Sequence, residues 1–226
     1  MAYKFKAALF DLDGTLIETV NEIADATNDT LRALGESTVL INQVRNWIGH
    51  GTRELLISAL AHVRASSVGE IRDWVKLSDA FKAFDDFYLA RCGTNSYLYP
   101  DVKEVLDQFK KSSIKMAIVT NKETRFTQTI IKAHALESYF DMVVCGDTLD
   151  VKKPDPKGIQ ICLKRFDVTL GESIFIGDSS VDALTARNAG IQVWLMPYGY
   201  NMGEPLLNAK ADYLAKGFAE LKRLLK

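Results

Sequence analysis

The chain has 226 residues, of which 47% are hydrophobic and 25% charged, and its formal net charge is -1. This composition is typical of a globular protein that buries a sizeable core. The near-neutral charge, without a basic excess, argues against a nucleic-acid partner. No apolar run approaches the length of a membrane-spanning helix, and the sequence turns acidic at Asp11 before a secretory leader could be complete. We therefore expect a cytoplasmic protein without a membrane partner, and the sequence indicates no particular oligomeric state.

The cysteines agree with that compartment. There are three of them, Cys92, Cys145 and Cys162, and they lie far apart without forming a CxxC pair. An odd number at such spacing fits neither a disulfide framework nor a zinc site. Free thiols are typical of proteins in a reducing cytosol.

The first predicted strand covers residues 5–10, but the next strand-like run begins only at residue 114. A structureless loop of that size does not fit a compact domain. Three amphipathic patterns with apolar residues three and four apart fill the interval, at residues 18–34, 43–60 and 70–90. Glycines interrupt or bound these patterns, namely Gly35, Gly49, Gly51 and Gly93. We therefore predict a helical cap, residues 17–92, inserted after the first strand of a core formed by residues 1–16 and 93–226.

The rest of the chain alternates between short apolar runs and amphipathic segments. Runs of this kind, bounded by turn residues, are typical of buried parallel strands in βαβ units. The predicted strands are residues 114–119, 142–145, 174–176 and 192–196. The predicted helices are residues 102–111, 124–135, 156–166 and 181–189, and Gly190 ends the last of them. The pattern predicts an α/β fold with an open, doubly wound parallel sheet.

Two carboxylates, Asp11 and Asp13, follow the first predicted strand and precede Gly14. The carboxyl ends of strands in an open α/β sheet face the ligand crevice. Two close carboxylates raise the cost of ionising each other, so they stabilise a fold poorly. They suit a divalent cation, or a nucleophile with an acid–base partner. The alternative is a solvated Asp-Gly turn.

Two further strand ends carry groups that suit an anionic ligand. Thr120 and Asn121 end the second predicted strand, where a hydroxyl and backbone amides can bind phosphate oxygens or simply cap the next helix. Lys153, followed by Pro154, opens another helix and can neutralise phosphate, although a charged turn is the plainer interpretation.

A fourth strand end carries two acids, Asp178 and Asp182, one helical turn apart. This spacing can hold a hard cation through oxygen ligands. Helix capping is the alternative, and it suits one of the acids better than both. Acids, a lysine and a hydroxyl meeting at one sheet edge favour phosphoryl transfer, because the charge on the phosphoryl oxygens must be neutralised there.

Because these motifs occur together and in this order along the chain, the chain resembles the haloacid dehalogenase superfamily of phosphohydrolases. The four motifs are Asp11-Leu12-Asp13-Gly14-Thr15, Thr120, Lys153-Pro154 and Gly177-Asp178 with Asp182. The resemblance covers nearly the whole chain, including the segment between the first two motifs. It implies a Rossmann-like core, Mg²⁺ and an aspartyl-phosphate intermediate.

The resemblance also implies a role for each residue. Asp11 is the nucleophile, and Asp13 is the acid that protonates the leaving oxygen and then the base for water. The expected Mg²⁺ ligands are the carboxylates of Asp11 and Asp178 and the backbone carbonyl of Asp13, with Asp182 orienting the site. The residues expected to hold the phosphoryl oxygens are Thr120, Asn121 and Lys153.

Within the superfamily the chain is most similar to phosphoglycolate phosphatases. The segments that carry this similarity are Leu98-Tyr99-Pro100, Gly146-Asp147-Thr148, Tyr198-Gly199-Tyr200-Asn201 and the stretch from Ile48 to Arg53. Two positions depart from the usual pattern: Glu18-Thr19 stands where an Asp-Ser pair is usual, and Asp101 where glycine is common. These departures bear on the identity of the substrate rather than on the reaction.

The expected partner is therefore a small phosphorylated metabolite, with 2-phosphoglycolate favoured. Arg53 is a candidate to bind its carboxylate and His50 to contact it from a flexible cap loop, although both residues also fit an ordinary polar helix start. A sugar phosphate, a nucleotide or pyrophosphate is the alternative substrate. A phosphomutase resembling β-phosphoglucomutase also keeps Asp13 and remains an alternative, whereas a non-enzymatic scaffold would require a broken motif, and none is broken.

Overall fold

The structure, a computed structural model, describes residues 5–225. Residues 1–4 and 226, which the sequence assigns to the predicted core, lie outside the described residues. The main sheet has six parallel strands in the order β5-β4-β1-β6-β7-β8. They are β1 (Ala7–Phe10), β4 (Lys115–Val119), β5 (Met142–Val144), β6 (Ser173–Gly177), β7 (Gln192–Leu195) and β8 (Tyr213–Leu214). The predicted α/β class and doubly wound sheet are confirmed.

The helices of this part of the chain lie close to their predicted positions. They are α6 (Val102–Lys111), α7 (Thr124–Ala133), α8 (Lys157–Phe166) and α9 (Ser180–Ala189). Gly190 adopts φ 76° at the end of α9, as expected for a glycine that ends a helix. Strand β8 and the 3-10 helices Leu170–Glu172, Leu206–Ala209 and Phe218–Leu225 were not predicted. Strand β8 and the 3-10 helices Leu170–Glu172 and Leu206–Ala209 carry too few residues for a periodic signal.

Both faces of the sheet are covered. Leu9 of β1 belongs to an apolar cluster with Ile159 of α8 and Ala183 of α9. On the opposite face, Phe10 packs against Phe109 of α6 and stacks on Phe218 of the last 3-10 helix. Burial on both faces explains why the strands appear as continuous apolar runs rather than as alternating patterns.

Five helices occupy the chain between residues 20 and 91. They are α1 (Val20–Ala33), α2 (Ile41–Arg45), α3 (Thr52–Val63), α4 (Val68–Arg72) and α5 (Leu77–Arg91). We call residues 20–91 the helical segment. At its base, β2 (Ile17–Glu18) pairs antiparallel with β3 (Tyr97–Leu98). The predicted helix over residues 18–34 is therefore wrong at its start, because Glu18 belongs to this two-stranded ribbon.

The other two predicted helices of this segment are each split in the structure. Residues 43–60 fall into α2 and α3 because Gly49 and Gly51 adopt positive φ angles of 136° and 94°, which helices do not contain. Residues 70–90 fall into α4 and α5. Helix α4 starts at a reciprocal cap between Ser67 and Glu70 and ends at Asp73. The boundaries of a cap domain at residues 17 and 92 stay a prediction. Over residues 5–225, every helix is too short or too polar to cross a bilayer.

Candidate active site

The site lies where the sheet order reverses direction. Strand β1 pairs with β4 on one side and with β6 on the other, so their carboxyl ends form a crevice at the topological switch point. Asp11 follows β1, Thr120 follows β4, and Asp178 follows β6. The structure thus brings three of the four motifs together through strand pairing alone.

Three carboxylates meet in this crevice. Asp11, Asp178 and Asp182 offer oxygen atoms that all lie within 4.8 Å of one another. Burial raises the pKa of Asp11 to about 6; the charge of Lys153 opposes this shift, and those of Asp182 and Asp13 add to it. Burial, followed by the charges of Asp182 and Asp11, raises the pKa of Asp178 well above its usual range. The cluster is therefore short of positive charge.

Lys153 supplies part of that charge. Its Nζ atom lies 3.0 Å from Oδ1 of Asp11 and 2.7 Å from Oδ1 of Asp182, and only 4% of the side chain is exposed. Burial opposes the ammonium form, but the two carboxylates outweigh it and raise the pKa of Lys153 above its usual range. Lys153, from the one motif that strand pairing does not place, thus lies at the site as well.

The donor set suits a hard divalent cation. Oδ1 of Asp11 is buried and, apart from the ion pair with Lys153, makes no well-aligned hydrogen bond to a residue between 5 and 225. One lysine cannot neutralise three carboxylates, and carboxylate oxygens are the ligands that Mg²⁺ prefers. Asp11 and Asp178 therefore fit a Mg²⁺ ion, as the sequence predicts.

Asp182 takes part in helix capping, one of the two roles that the sequence left open. Its Oδ2 atom accepts hydrogen bonds from the hydroxyl and backbone N–H of Ser179 and from the backbone N–H of Asp178. Ser179 caps α9, and its hydroxyl in turn accepts from the N–H of Asp182. Because Lys153 donates to the other oxygen, both Asp182 oxygens have protein partners. Because one oxygen is paired with an ammonium and the other accepts three hydrogen bonds, this arrangement suits the orienting role.

Two glycines permit the position of Asp178. Its Oδ1 accepts from the Thr15 hydroxyl at 2.7 Å, and its Oδ2 accepts from the Tyr200 backbone N–H at 2.5 Å. A Cβ atom added at Gly14 or Gly199 would overlap the Asp178 carboxylate. Gly14 also has φ +82°, where a side chain is strained. The sequence singled out Gly199 only for its family similarity. The structure adds a steric reason for glycine at this position.

Asn121 and Thr120 contribute differently to the crevice. The Asn121 side chain accepts from the Lys153 N–H at 2.8 Å and donates to the Lys153 carbonyl at 3.1 Å and to the Gly49 carbonyl at 3.0 Å. Its amide therefore fixes Lys153 and ties the helical segment to the core. Thr120 Oγ1 accepts a hydrogen bond from the backbone N–H of Lys122 at 3.3 Å. The Thr120 hydroxyl donates no hydrogen bond to another of the described residues. That both residues bind phosphate stays a prediction.

Asp13 is held by a lysine that the sequence analysis missed. Nζ of Lys122 donates to Oδ1 and Oδ2 of Asp13 at 2.9 and 2.8 Å, and the Thr19 hydroxyl donates to Oδ1 at 2.7 Å. Lys122 is 3% exposed. Its position directly after Thr120 and Asn121 was the available signal, because a third residue at that strand end can also reach the crevice.

Glu18, which departs from the usual family pattern, makes polar contacts through both of its carboxylate oxygens. One Glu18 oxygen accepts from the Tyr99 hydroxyl at 2.9 Å and lies 3.1 Å from Arg45 of α2. The other accepts from the Tyr200 hydroxyl and from the backbone N–H of Val20. These bonds link the base of the helical segment to the residue whose backbone N–H holds Asp178. Asp101, the other departure, has φ 65°, a left-handed conformation that explains why glycine is common there.

The two substrate candidates from the helical segment, His50 and Arg53, are not among the residues that line the cavity. The cavity between the core and this segment is lined on the segment side by Ile23, Ile48, Gly49, Gly51, Thr52 and Leu55. His50 is exposed. The Arg53 guanidinium donates to the Asp85 carboxylate at 2.6 Å and to the Phe81 carbonyl at 3.2 Å. The structure therefore does not bring Arg53 to the other predicted site residues, and its substrate role stays a prediction.

Comparisons with known proteins agree with this geometry. Residues 8–196 match the family model described as haloacid dehalogenase-like hydrolase, a span that contains all four motifs. A protein from Vibrio parahaemolyticus named phosphoglycolate phosphatase is 36% identical over 216 residues, which cover 96% of this chain and 94% of the relative. A protein of the same name from Photobacterium profundum is 36% identical over 221 residues, covering 98% and 96%. The crystal structure of a predicted phosphoglycolate phosphatase from Haemophilus somnus has a TM-score of 0.87 and 29% identity, and 99% of each chain is covered.

The contact between Gly199 and Asp178 gives the first testable prediction. We expect Gly199→Ala to lower the free energy of unfolding by ~1–3 kcal/mol, because the added methyl group must displace a buried carboxylate. Gly171→Ala is the matched control, since a Cβ there meets nothing within 4 Å. Urea denaturation of both variants measures the difference. Equal stability of the two variants would contradict the steric argument.

The raised pKa of Asp11 gives a second prediction. The folded state binds the Asp11 proton more tightly than the unfolded chain does, so stability falls as the pH rises from about 4 through about 6. Asp11→Asn removes this loss of stability. Between pH 4 and pH 7 the free energy of unfolding of the variant should therefore rise by ~1–3 kcal/mol relative to that of the original protein. Urea denaturation in a chelating buffer measures it. Asp150→Asn, at an exposed position, is the control, and a pH-independent difference for Asp11→Asn would refute the assignment.

Proposed function

The chain belongs to the haloacid dehalogenase-like hydrolase family, and from that premise we propose that it is a phosphatase that hydrolyses 2-phosphoglycolate through a phosphorylated Asp11. The observation that carries the proposal is the buried cluster of Asp11, Asp178 and Asp182 beside Lys153 at the switch point of the sheet. Such a cluster can bind a divalent cation, and the cation together with Lys153 can neutralise a transferring phosphoryl group. The relatives named phosphoglycolate phosphatase support the choice of substrate.

Asp11 is the nucleophile in this mechanism. A carboxylate oxygen of Asp11 attacks phosphorus, the ester P–O bond breaks, and an acyl phosphate forms. Lys153, which contacts Asp11 at 3.0 Å, neutralises charge on the phosphoryl oxygens and holds the carboxylate in place. A bound Mg²⁺, held by Asp11 and Asp178, would supply further positive charge next to the phosphoryl group.

Asp13 is the acid–base residue. It gives its proton to the departing glycolate oxygen and then takes a proton from the water that hydrolyses the acyl phosphate, releasing inorganic phosphate. Its carboxylate lies two residues from Asp11 and is oriented by Lys122 and Thr19. Asp182 holds Lys153 and the start of α9 in position rather than reacting itself.

A substrate panel tests this proposal. We expect phosphate release in the presence of Mg²⁺ from 2-phosphoglycolate, with a kcat/KM at least about tenfold above those for hexose phosphates, nucleotides and pyrophosphate, a difference of about 1.4 kcal/mol in transition-state binding. Broad and weak release would leave the phosphatase assignment in place and reject the substrate. Transfer of phosphate between sugar positions without release would instead identify a phosphomutase, which shares Asp13.

The separate roles of Asp11 and Asp13 give a further prediction. Asp11→Asn should form no phosphoenzyme. In Asp13→Asn, rapid-quench measurement should show the rate of acyl phosphate formation from 2-phosphoglycolate falling by roughly 10²–10⁴-fold, because its alkoxide leaving group needs the proton. Formation from an aryl phosphate, whose leaving group needs no proton, should fall far less, and the acyl phosphate should then accumulate. Asp150→Asn is the surface control. Equal losses for both substrates would contradict the assigned role of Asp13.

A further inference from the structure

A cavity that selects 2-phosphoglycolate needs a cation for the carboxylate as well as for the phosphoryl group. Arg53 is bound to Asp85 and does not line the cavity. Among the described residues that line it, Lys122 is the one with a cationic side chain. The structure therefore offers Lys122, instead of Arg53, as the candidate to bind the second anionic group.

Lys122 stays charged in a nearly dry environment. Burial opposes its ammonium form, but the adjacent Asp13 carboxylate outweighs this and raises the pKa of Lys122. Nζ also lies 4.9 Å from the centroid of the Tyr88 ring, on the face that attracts cations. A charge-assisted hydrogen bond that such an ammonium donates is strong because little water competes for it.

Asp13 does not use all of the donors of Lys122. An ammonium has three N–H groups, and in the described chain the hydrogen bonds of Nζ go to Asp13 alone. The neighbouring hydroxyl of Tyr88 is buried and has no oxygen or nitrogen partner among residues 5–225. Glu22 is the nearby acid; its Oε2 accepts a hydrogen bond from the Gly93 backbone N–H at 2.9 Å, and burial raises its pKa.

The location of Lys122 relative to Asp13 suits the leaving-group side of the substrate. Asp13 must contact the ester oxygen to protonate it, and Lys122 lies within 2.9 Å of both Asp13 oxygens. In phosphoglycolate the carboxyl carbon is two bonds beyond that ester oxygen. A carboxylate so close to the ester oxygen falls within reach of an ammonium that already touches the acid.

We propose that Lys122 is a specificity-determining residue that binds the second anionic group of the substrate, the carboxylate of a short phosphorylated hydroxy acid. This inference rests on the proposed phosphatase function. Binding of the carboxylate draws Lys122 away from Asp13. A phosphate ester without a second anion leaves Lys122 bound to Asp13.

The test compares 2-phosphoglycolate with ethyl phosphate, which has the same ester linkage but no carboxylate. We expect Lys122→Met to lower the ratio of the two kcat/KM values by at least about tenfold, since one hydrogen bond to a charged group is lost. In the Asp11→Asn background, which does not turn over, the Kd for 2-phosphoglycolate should rise by a similar factor and the Kd for ethyl phosphate should rise less. Lys122→Gln provides a second variant if the methionine variant does not fold.

Two further variants complete the design. Arg53→Met removes the competing candidate and should leave the ratio within about twofold of the original protein, as expected for a side chain outside the cavity. Lys132→Met, on the exposed side of α7, controls for the loss of one positive charge. A purely structural role of Lys122 would lower both kcat/KM values equally and leave their ratio unchanged, which would overturn the inference.

The outcomes separate this inference from the proposed substrate. An original protein that prefers 2-phosphoglycolate, with a ratio that falls in Arg53→Met but not in Lys122→Met, would overturn the role of Lys122 alone. A preference for another doubly anionic phosphate ester that disappears in Lys122→Met would reject phosphoglycolate and support the subsite. The absence of any preference for a second anion in the original protein would overturn both.

Discussion

The excess of buried negative charge at the carboxyl ends of β1 and β6 is the constraint on which the rest of the site depends. Asp11, Asp178 and Asp182 lie within 4.8 Å of one another, and Lys153 is the cation that contacts this cluster. Close carboxylates of this kind destabilise a folded protein unless a cation or proton compensates for them. The surrounding hydrogen bonds orient the carboxylates but do not neutralise them. The divalent cation of the proposed mechanism would supply the positive charge that this cluster lacks.

A second charged pair, Asp13 with Lys122, extends the site toward the helical segment. Lys122 belongs to the core strand end, yet its ammonium packs against Tyr88 of α5. Asn121 bonds to the Gly49 carbonyl, and Thr52 bonds to Glu123 at 2.8 Å. Polar contacts thus border the cavity where the core meets the helical segment. In the mechanism that we propose, recognition of the leaving group and positioning of the acid fall to the same few residues.

The positions of the proposed catalytic residues at one sheet edge were predictable because these residues belong to short segments at strand ends. An apolar run followed by Asp11 and Asp13 locates both acids at a sheet edge without any tertiary information, and the same holds for Asp178. The cap candidates were less predictable. His50 and Arg53 were chosen from a glycine-rich loop, but the helical segment can pair Arg53 with Asp85 from another helix. Nothing in the local sequence around Arg53 signals that partner, because Asp85 is distant along the chain.

The sequence by itself determined the α/β class, the strand ends that carry the acids and the reaction type, because period and motif spacing are local properties. Only the tertiary structure decided that Lys122, rather than Arg53, lines the cavity, and that Glu18 joins Tyr99, Tyr200 and Arg45 at the base of the helical segment. Those contacts join residues far apart in the chain. Their partners are chosen by packing and by the need to neutralise buried charge, and neither can be read from sequence spacing.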